Sequence, residues 1–130
     1  MKRLLLYLWQ LPQNLLGLLL AAIYAPERKH IMDNGNVIYF SNRMQGGISL
    51  GKYSIVNTCH YRKELSECLK RDTVRHEAIG HAKQSLYLGP FYLLVVGLPS
   101  IVWAAICKDN KRYFKVYPEN WADRLANVKR

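Results

Sequence analysis

Arg75-His76-Glu77-Ala78-Ile79-Gly80-His81 is the stretch around which the rest of the chain can be placed. A His followed by Glu, with a second His about one helical turn later, is a pattern that binds zinc on one face of a helix. Two neutral imidazoles and one carboxylate suit Zn²⁺ and leave its fourth position to a water molecule. The Glu beside the first His can accept a proton from that water. The stretch therefore predicts a metal-binding helix over residues 72–88, with Glu77 as a general base.

The two histidines of this motif stand five residues apart instead of the usual four. In an ideal α-helix that spacing places them about 140° apart around the axis. A π-bulge, a single wide turn that occurs mostly at functional sites, would return both to one face, and we predict a bulge or a break at Ala78-Ile79-Gly80. The alternative pairs Glu77 with His81, which are four residues apart. That pairing leaves His76 outside the site and removes the general base.

A second acidic pair lies downstream, in Glu119-Asn120-Trp121-Ala122-Asp123. The chain has nine acidic residues, and these two stand four apart, which is one face of a helix. Glu119 could complete a metal site, and Asp123 could orient a histidine. The plainer interpretation is an amphipathic C-terminal helix over residues 118–128 with Trp121 packed inward, which the zinc hypothesis also requires.

The combination of HE..GH with a downstream ExxAD resembles the gluzincin metalloproteases, especially their membrane-embedded branch, the prenyl-protein protease and HtpX-like families. The resemblance implies a zinc metalloprotease and assigns a role to each of five residues. His76, His81 and Glu119 would be the metal ligands, Glu77 the catalytic base, and Asp123 the carboxylate that orients a ligand from behind.

A second resemblance rests on residues 81–85, His-Ala-Lys-Gln-Ser, together with Trp121-Ala122-Asp123. These residues are similar to a group of small uncharacterised bacterial membrane proteins that carry HExGHxxQS. The likeness covers about residues 47–128. The one-residue insertion in the histidine motif departs from both groups.

Two uncharged apolar runs, residues 4–25 and 86–107, hold most of the hydrophobic residues. Each is long enough to cross a hydrocarbon core of about 30 Å as a helix. We predict residues 4–25 as an N-terminal membrane helix; the alternatives are a signal peptide and a helix buried in a soluble bundle.

The second run separates His76 from Glu119, so one metal ion can bind both only if the chain returns to the side that it left. Gly97-Leu98-Pro99-Ser100 interrupts this run, and Pro inside a helix removes a hydrogen bond. A re-entrant turn is therefore predicted there. Alternatively, the motif helix dips into the membrane and the C-terminal helix rises to meet it. Whether the run spans the membrane stays open.

The chain carries 19 Lys and Arg against 9 Asp and Glu, with a formal net charge of +10. If the first run alone spans, the positive-inside rule places residues 26–130 in the cytoplasm, and we expect a bacterial inner membrane. The basic excess favours anionic lipid headgroups as partners. Nucleic acid is not expected, because no basic cluster is interleaved with aromatic residues. Three cysteines without CxxC spacing do not indicate a disulfide framework.

Residues 30–57 carry the signals of short strands. Asn34-Gly35 is typical of a hairpin turn, and residues 37–40 are rich in β-formers. Residues 48–56 alternate with a period of two, with a bulge predicted at Gly51. We expect two or three antiparallel strands. Whether they bind an extended peptide by strand addition or only pack on the motif helix stays open.

Together these patterns predict one domain over residues 1–130, of class α+β and mainly α, in which membrane-associated helices surround a small antiparallel sheet. The expected function is that of a small membrane-bound zinc metallopeptidase acting on peptides or membrane proteins. The alternatives are a non-catalytic membrane adaptor or effector with a degenerate motif, and a structural zinc site with four protein ligands. His60 and Tyr117 are candidates for stabilising an oxyanion, while substrate and oligomeric state stay open.

Overall fold

The computed structural model describes residues 2–129. The chain is mainly helical with one small sheet, which confirms the predicted balance of helix and strand. In chain order the elements are α1 (Lys2–Trp9), α2 (Leu11–Tyr24), β1 (Arg28–Ile31), β2 (Val37–Ser41), β3 (Gly47–Leu50), β4 (Tyr53–Asn57), α3 (Leu65–Cys68), α4 (Asp72–Arg75), a π-helical turn (His76–His81), α5 (Ala82–Leu88), a second π-helical turn (Leu93–Gly97), α6 (Leu98–Ile106), α7 (Asn110–Tyr113) and α8 (Tyr117–Ala126).

The sheet differs from the antiparallel sheet of two or three strands that the sequence predicts. It has four strands in the order β1-β2-β4-β3, and β2 and β4 run parallel, while the other two pairs are antiparallel. Gly51 explains the additional strand, because its φ of 65° turns the chain back instead of forming a bulge. Residues 48–56 are therefore two strands of a hairpin. The turn predicted at Asn34-Gly35 is confirmed, with a φ of 89° at Gly35.

The two helical segments α4 and α5 and the π-helical turn between them form one continuous helix, residues 72–88, called the motif helix below. Val74 and Ala78 on its inner face pack against Ile38, Phe40 and Val56 of the sheet. This cluster is the apolar core that holds the motif helix against the strands. The π-helical turn confirms the wide turn predicted at Ala78-Ile79-Gly80.

The second apolar run bends sharply, but not at the place that the sequence predicts. The helical segment Asp72–Phe91 and the segment Leu93–Ile106 meet at 120° around Tyr92. Gly89, with a φ of 55°, and Pro90 end the motif helix just before the bend. The expected turn at residues 97–100 is wrong, because Pro99 lies within the continuous helical segment Leu93–Ile106, directly after its π-helical turn.

The first apolar run forms two helices instead of the single helix predicted over residues 4–25. Helices α1 and α2 are bent by 82° around Gln10, and Pro12 lies in the first turn of α2. Among residues 2–129, no single helix is both long and apolar enough to cross a membrane. Two bent pairs reach that length and composition when their halves are taken together, α1 with α2 and Asp72–Phe91 with Leu93–Ile106.

The two bends pack against each other through buried polar side chains. Gln13 Nε2 donates hydrogen bonds to Ser85 Oγ and to the Gly89 carbonyl, both at 2.8 Å. Trp9 Nε1 donates to the Leu86 carbonyl, also at 2.8 Å. The last carbonyls of a helix have no partner within that helix, so α1 and α2 supply donors to the end of the motif helix. Side chains of the first apolar run thus cap the C-terminal end of the motif helix, just before the second run bends.

Candidate metal centre

The π-helical turn places two histidine rings side by side. His76 and His81 are both buried, and their ring centroids lie 4.6 Å apart at an angle of 90°. A regular α-helix would have turned them about 140° from each other. The extra residue of the motif is therefore absorbed locally, so that both imidazoles face α8.

Helix α8 brings Glu119 to these rings. The Glu119 side chain is fully buried, and its Oε2 lies 2.7 Å from His76 Nε2 and 3.1 Å from His81 Nε2. Ligand atoms around a tetrahedral zinc ion are about 3.3 Å from one another when each bond is about 2.0–2.1 Å. The three atoms already have nearly that spacing, and the mixture of two nitrogens with one oxygen is one that zinc accepts.

Glu77 belongs to the same cluster. Ligand atoms of His76, Glu77 and His81 all lie within 4.8 Å of one another, and the three residues are buried. This buried group could hold a metal ion. The alternative in which His76 stays outside the site is wrong, because His76 contacts Glu119 directly.

The outer nitrogen of each histidine is held by a further polar side chain. His76 Nδ1 donates to Asp123 Oδ1 at 2.7 Å, and His81 Nδ1 donates to Gln84 Oε1 at 2.6 Å. Gln84 Nε2 in turn donates to the Pro118 carbonyl at 2.8 Å, which ties the motif helix to α8. Such partners fix the tautomer and orientation of a metal-binding histidine. The spacing of Asp123 in the sequence indicates this role, whereas Gln84 stands in HxxQS with no signal of its own.

Ser100 and Tyr113 complete the surroundings of Glu119, and the sequence indicates neither of them. Ser100 Oγ donates a short hydrogen bond to Glu119 Oε1. Tyr113 lies within hydrogen-bonding reach of both Ser100 and Glu119. Gly97-Leu98-Pro99-Ser100, expected to break a helix, instead delivers a serine to the site. A polar residue inside an uncharged run was the one available signal.

The buried charges in this cluster stabilise one another. Burial would raise the pKa of Glu119, but hydrogen bonds from His76 and His81 outweigh it and hold that pKa well below its usual range. Burial would likewise lower the pKa of His76, whereas its bonds to Asp123 and Glu119 raise it to about 10. The pKa of His81 is also raised against burial, by the charge of Glu77 and the bond to Glu119.

Gly47 of strand β3 determines how closely the sheet approaches Glu77. A Cβ atom on Gly47 would lie 2.6 Å from Glu77 Cγ, closer than van der Waals contact permits. A residue without a side chain therefore lets the edge strand pass over the carboxylate. The contact places the backbone of β3 directly beside the candidate base.

Two cavities meet at Glu77. One, of about 180 Å³, is mainly apolar, and the other, of about 530 Å³, is more polar. Gly47, Glu77, Ala104 and Tyr113 line both of them. A small molecule could thus reach the cluster from either side of the Glu77 carboxylate. Further lining residues are Met44, Ile48, Leu50 and Ile101 in the apolar cavity and His60, Thr73, His76 and Cys107 in the polar one.

The two candidates for oxyanion stabilisation differ in position. His60 faces the polar cavity, and its Nδ1 accepts a hydrogen bond of 2.7 Å from Arg71 Nε. Burial and the charges of Arg71 and Arg62 lower the pKa of His60, so its ring is neutral and carries its proton on Nε2. Tyr117 is exposed and donates a short hydrogen bond to the Val95 carbonyl. It lines neither cavity at Glu77.

All five residues singled out from the sequence, His76, Glu77, His81, Glu119 and Asp123, lie together in the structure. Comparison of the chain with protein-family models, with curated proteins and with solved structures gives no match. Function is therefore inferred from the geometry of these residues and from the chemistry that they permit.

Proposed function

We propose that this chain is a small zinc-dependent metallopeptidase. The observation that carries the proposal is the position of one carboxylate oxygen, Glu119 Oε2, at 2.7 Å from His76 Nε2 and 3.1 Å from His81 Nε2. These three residues come from two helices separated by an apolar run. They are also residues that carry the resemblance to the gluzincin proteases.

His76, His81 and Glu119 would hold the zinc ion and leave its fourth position open. When bound there, zinc lowers the pKa of a water ligand to about 7 and polarises a carbonyl oxygen. Asp123 and Gln84 would hold the two rings in the required tautomer, since each accepts from an outer ring nitrogen. Ser100 would hold the oxygen of Glu119 that faces away from the histidines.

Glu77 would be the general base. It follows His76 in the π-helical turn, so the backbone fixes its carboxylate beside the two imidazoles. Its task is to accept a proton from the attacking water and to pass that proton to the amine that leaves. The close approach of Gly47 restricts where this carboxylate can move.

A peptide suits the surface next to Glu77. Strand β3 is at the edge of the sheet, and its first residue, Gly47, lies against Glu77. An extended peptide can add to an exposed strand edge through backbone hydrogen bonds. Ser49 and Leu50 are buried and the Ser49 carbonyl accepts a hydrogen bond from Tyr92, so a peptide would pair with β3 at Gly47 and Ile48, beside the Glu77 carboxylate.

One observation favours a second candidate, a structural zinc site. The ligand atoms of Glu77 lie within 4.8 Å of those of both histidines, so a movement of its side chain could bring a fourth ligand to the metal. If Glu77 bound the metal together with His76, His81 and Glu119, four protein ligands would close the site and leave no position for water. A Glu77→Gln variant would keep its zinc if the chain is a peptidase and lose it if the site is structural.

Zinc content and peptide cleavage, measured on the same purified samples, distinguish the candidates. For the peptidase, Glu77→Gln keeps about one equivalent of zinc and loses cleavage of a peptide library, while His76→Ala and Glu119→Ala lose the zinc. Glu67→Gln is the matched control, because Glu67 is half exposed and pairs with Lys70 away from the site. Loss of zinc in Glu77→Gln would establish the structural site. Zinc retained in His76→Ala and Glu119→Ala would refute both candidates.

A further inference from the structure

Helix α2 has its polar face inside and its apolar face outside. The buried face carries Gln13, Asn14, Gly17 and Ala21. A helix on the surface of a protein in water shows the reverse, with its apolar stripe toward the core. These small and polar residues lie where α2 meets the sheet and the end of the motif helix, so its large apolar side chains are left on the outside. The exposed face is formed by Leu15, Leu16, Leu18, Leu19 and Ile23.

The second bent pair also combines buried polar residues with a large exposed apolar surface. Gln84 and Ser85 are fully buried and hydrogen-bonded within the protein. Large apolar side chains point outward from the bend to the end of α6, namely Phe91, Leu94, Leu98, Ile101, Val102 and Ile106. The two bent pairs therefore present apolar surface where water would favour polar side chains.

Each apolar run begins and ends at the same side of the molecule. Arg3, at the start of the first run, donates a hydrogen bond of 2.8 Å to the carbonyl of Asp33, which follows that run. His76 precedes the second run and lies 2.7 Å from Glu119, which follows it. A segment whose two flanks touch each other returns to the side that it left.

We propose that the two bent pairs dock together into one leaflet of an anionic bilayer, with the N-terminus, the sheet and the metal centre on the same membrane face. Lipid offers no partner to backbone groups freed at a bend, so protein must supply them. Gln13 and Trp9 do so for the carbonyls of Gly89 and Leu86. The two pairs therefore enter the leaflet as one unit joined at their bends.

The basic side chains beside the apolar pairs indicate that the membrane to which they dock is anionic. Exposed basic side chains stand at the outer ends of the apolar pairs, namely Lys2 and Arg3 at the start of α1 and Lys108, Arg112 and Lys115 after α6. Basic residues beside a membrane are attracted to its anionic headgroups. This docking is independent of the proposed peptidase activity, since none of its contacts uses the metal ligands as ligands.

The arrangement differs from the topology expected from the sequence. If residues 4–25 crossed the bilayer, Lys2 would lie opposite Cys59, whereas docking into one leaflet places both on the same face. Cys59 is exposed and Cys68 is buried, so Cys59 is a natural reporter once Cys107 has been replaced by Ser. A second chain with Lys2→Cys, Cys59→Ser and Cys107→Ser reports the N-terminus.

The test uses the full chain in salt-washed bacterial membranes and a membrane-impermeant maleimide. Labelling is compared in right-side-out and in inverted vesicles. We expect the cysteines at positions 2 and 59 to be labelled in the same one of these two preparations. Labelling in opposite orientations would overturn the proposal in favour of a spanning segment. A chain released entirely into the soluble fraction would overturn it as well, and the apolar faces would then cover a second copy or another protein.

Partition onto liposomes tests the face directly. Leu19→Glu should weaken flotation of the purified protein with phosphatidylglycerol vesicles about tenfold, because a charge is placed in the lipid contact. Ile31→Glu is the matched control, since Ile31 is 62 % exposed on β1 and Leu19 is 56 % exposed on α2. An equal effect of both substitutions, or no effect of Leu19→Glu, would contradict docking through this face.

Discussion

Gly80 of the motif helix and Ala122 of α8 touch backbone to backbone. A Cβ atom on Gly80 would collide with the carbonyl group of Ala122, so α8 can approach this closely only because residue 80 is glycine. The contact lies within the π-helical turn, one residue before His81 and one helical turn from Glu119. It sets the distance across which Glu119 reaches the two imidazoles.

Gly80→Ala should therefore push α8 away and weaken zinc binding at least about tenfold, since ligands must be held within a few tenths of an ångström. Competition with a chelator of known affinity measures the change. Gly46→Ala is the control, because nothing lies within 4 Å of a Cβ atom at Gly46. If the two variants bind zinc equally, the backbone contact does not set the geometry of the site.

Gly47→Ala should separate metal binding from cleavage. The added methyl group would lie 2.6 Å from Glu77 Cγ and must displace that side chain, whereas His76, His81 and Glu119 are untouched. We expect zinc content to be unchanged and kcat to fall by about 10²-fold, the lower range for loss of a general base. Unchanged kcat would show that the position of Glu77 is not important for the reaction.

Zinc binding should release protons at neutral pH. The pKa of His76 is raised to about 10 by Asp123 and Glu119, so without metal its ring is protonated at pH 7, and a ligand must be neutral. We expect release of at least about one proton per zinc, measured by titration calorimetry in buffers of different ionisation enthalpy. Heats that do not depend on the buffer would contradict the charged state of the ring.

The contacts of His76 with Asp123 and Glu119 also make the stability of the metal-free protein depend on pH. The folded-state pKa of His76 exceeds its unfolded value, so this stabilisation is complete below about pH 6.5 and is lost as the pH rises through about 10. Asp123→Asn removes the first of the two carboxylate partners and should flatten this decline between pH 7 and 10. Urea unfolding across that range checks both, and an identical slope in the variant would exclude Asp123 as the cause.

Gln13→Leu should destabilise the junction of the two bends. It removes the donor to Ser85 and to the Gly89 carbonyl, both within buried surroundings, at a cost of about 1–3 kcal/mol. The midpoint of unfolding in detergent solution measures the loss. Gln45→Leu, at an exposed position, is the control. Equal stability of Gln13→Leu and the wild type would mean that other groups satisfy these carbonyls.

The metal cluster was predictable because its signals are local. A helix accommodates one inserted residue between His76 and His81 by a wider turn. Glu119 and Asp123 stand four residues apart, which places them on one helical face. Ser100 and Tyr113 were not predictable, because their relation to Glu119 exists only after the chain has reversed. Gln84 was in view in the motif, but its bond to His81 depends on a rotamer that sequence does not specify.

The errors in the fold have equally specific causes. Gly51 fits a bulge and a tight turn equally well in sequence, and its φ of 65° decides for the turn. The parallel pairing of β2 with β4 depends on which strand of that hairpin lies beside β2, and this is not a local property. Pro99 is typical of a helix break, yet the helical segment Leu93–Ile106 continues through it after a π-helical turn, and the bend lies at Tyr92, after Gly89 and Pro90.

The wide turn in the histidine motif keeps the two packing surfaces of one helix in phase. The N-terminal half, through Val74 and Ala78, is aligned to the sheet, and the C-terminal half, through Gln84 and Ser85, is aligned to α8 and to Gln10. Without the wide turn, the extra residue would rotate Ser85 by about 100° away from Gln10. Deleting Ile79 should therefore be tolerated, because a regular helix with the usual spacing of four keeps both halves in the same phase.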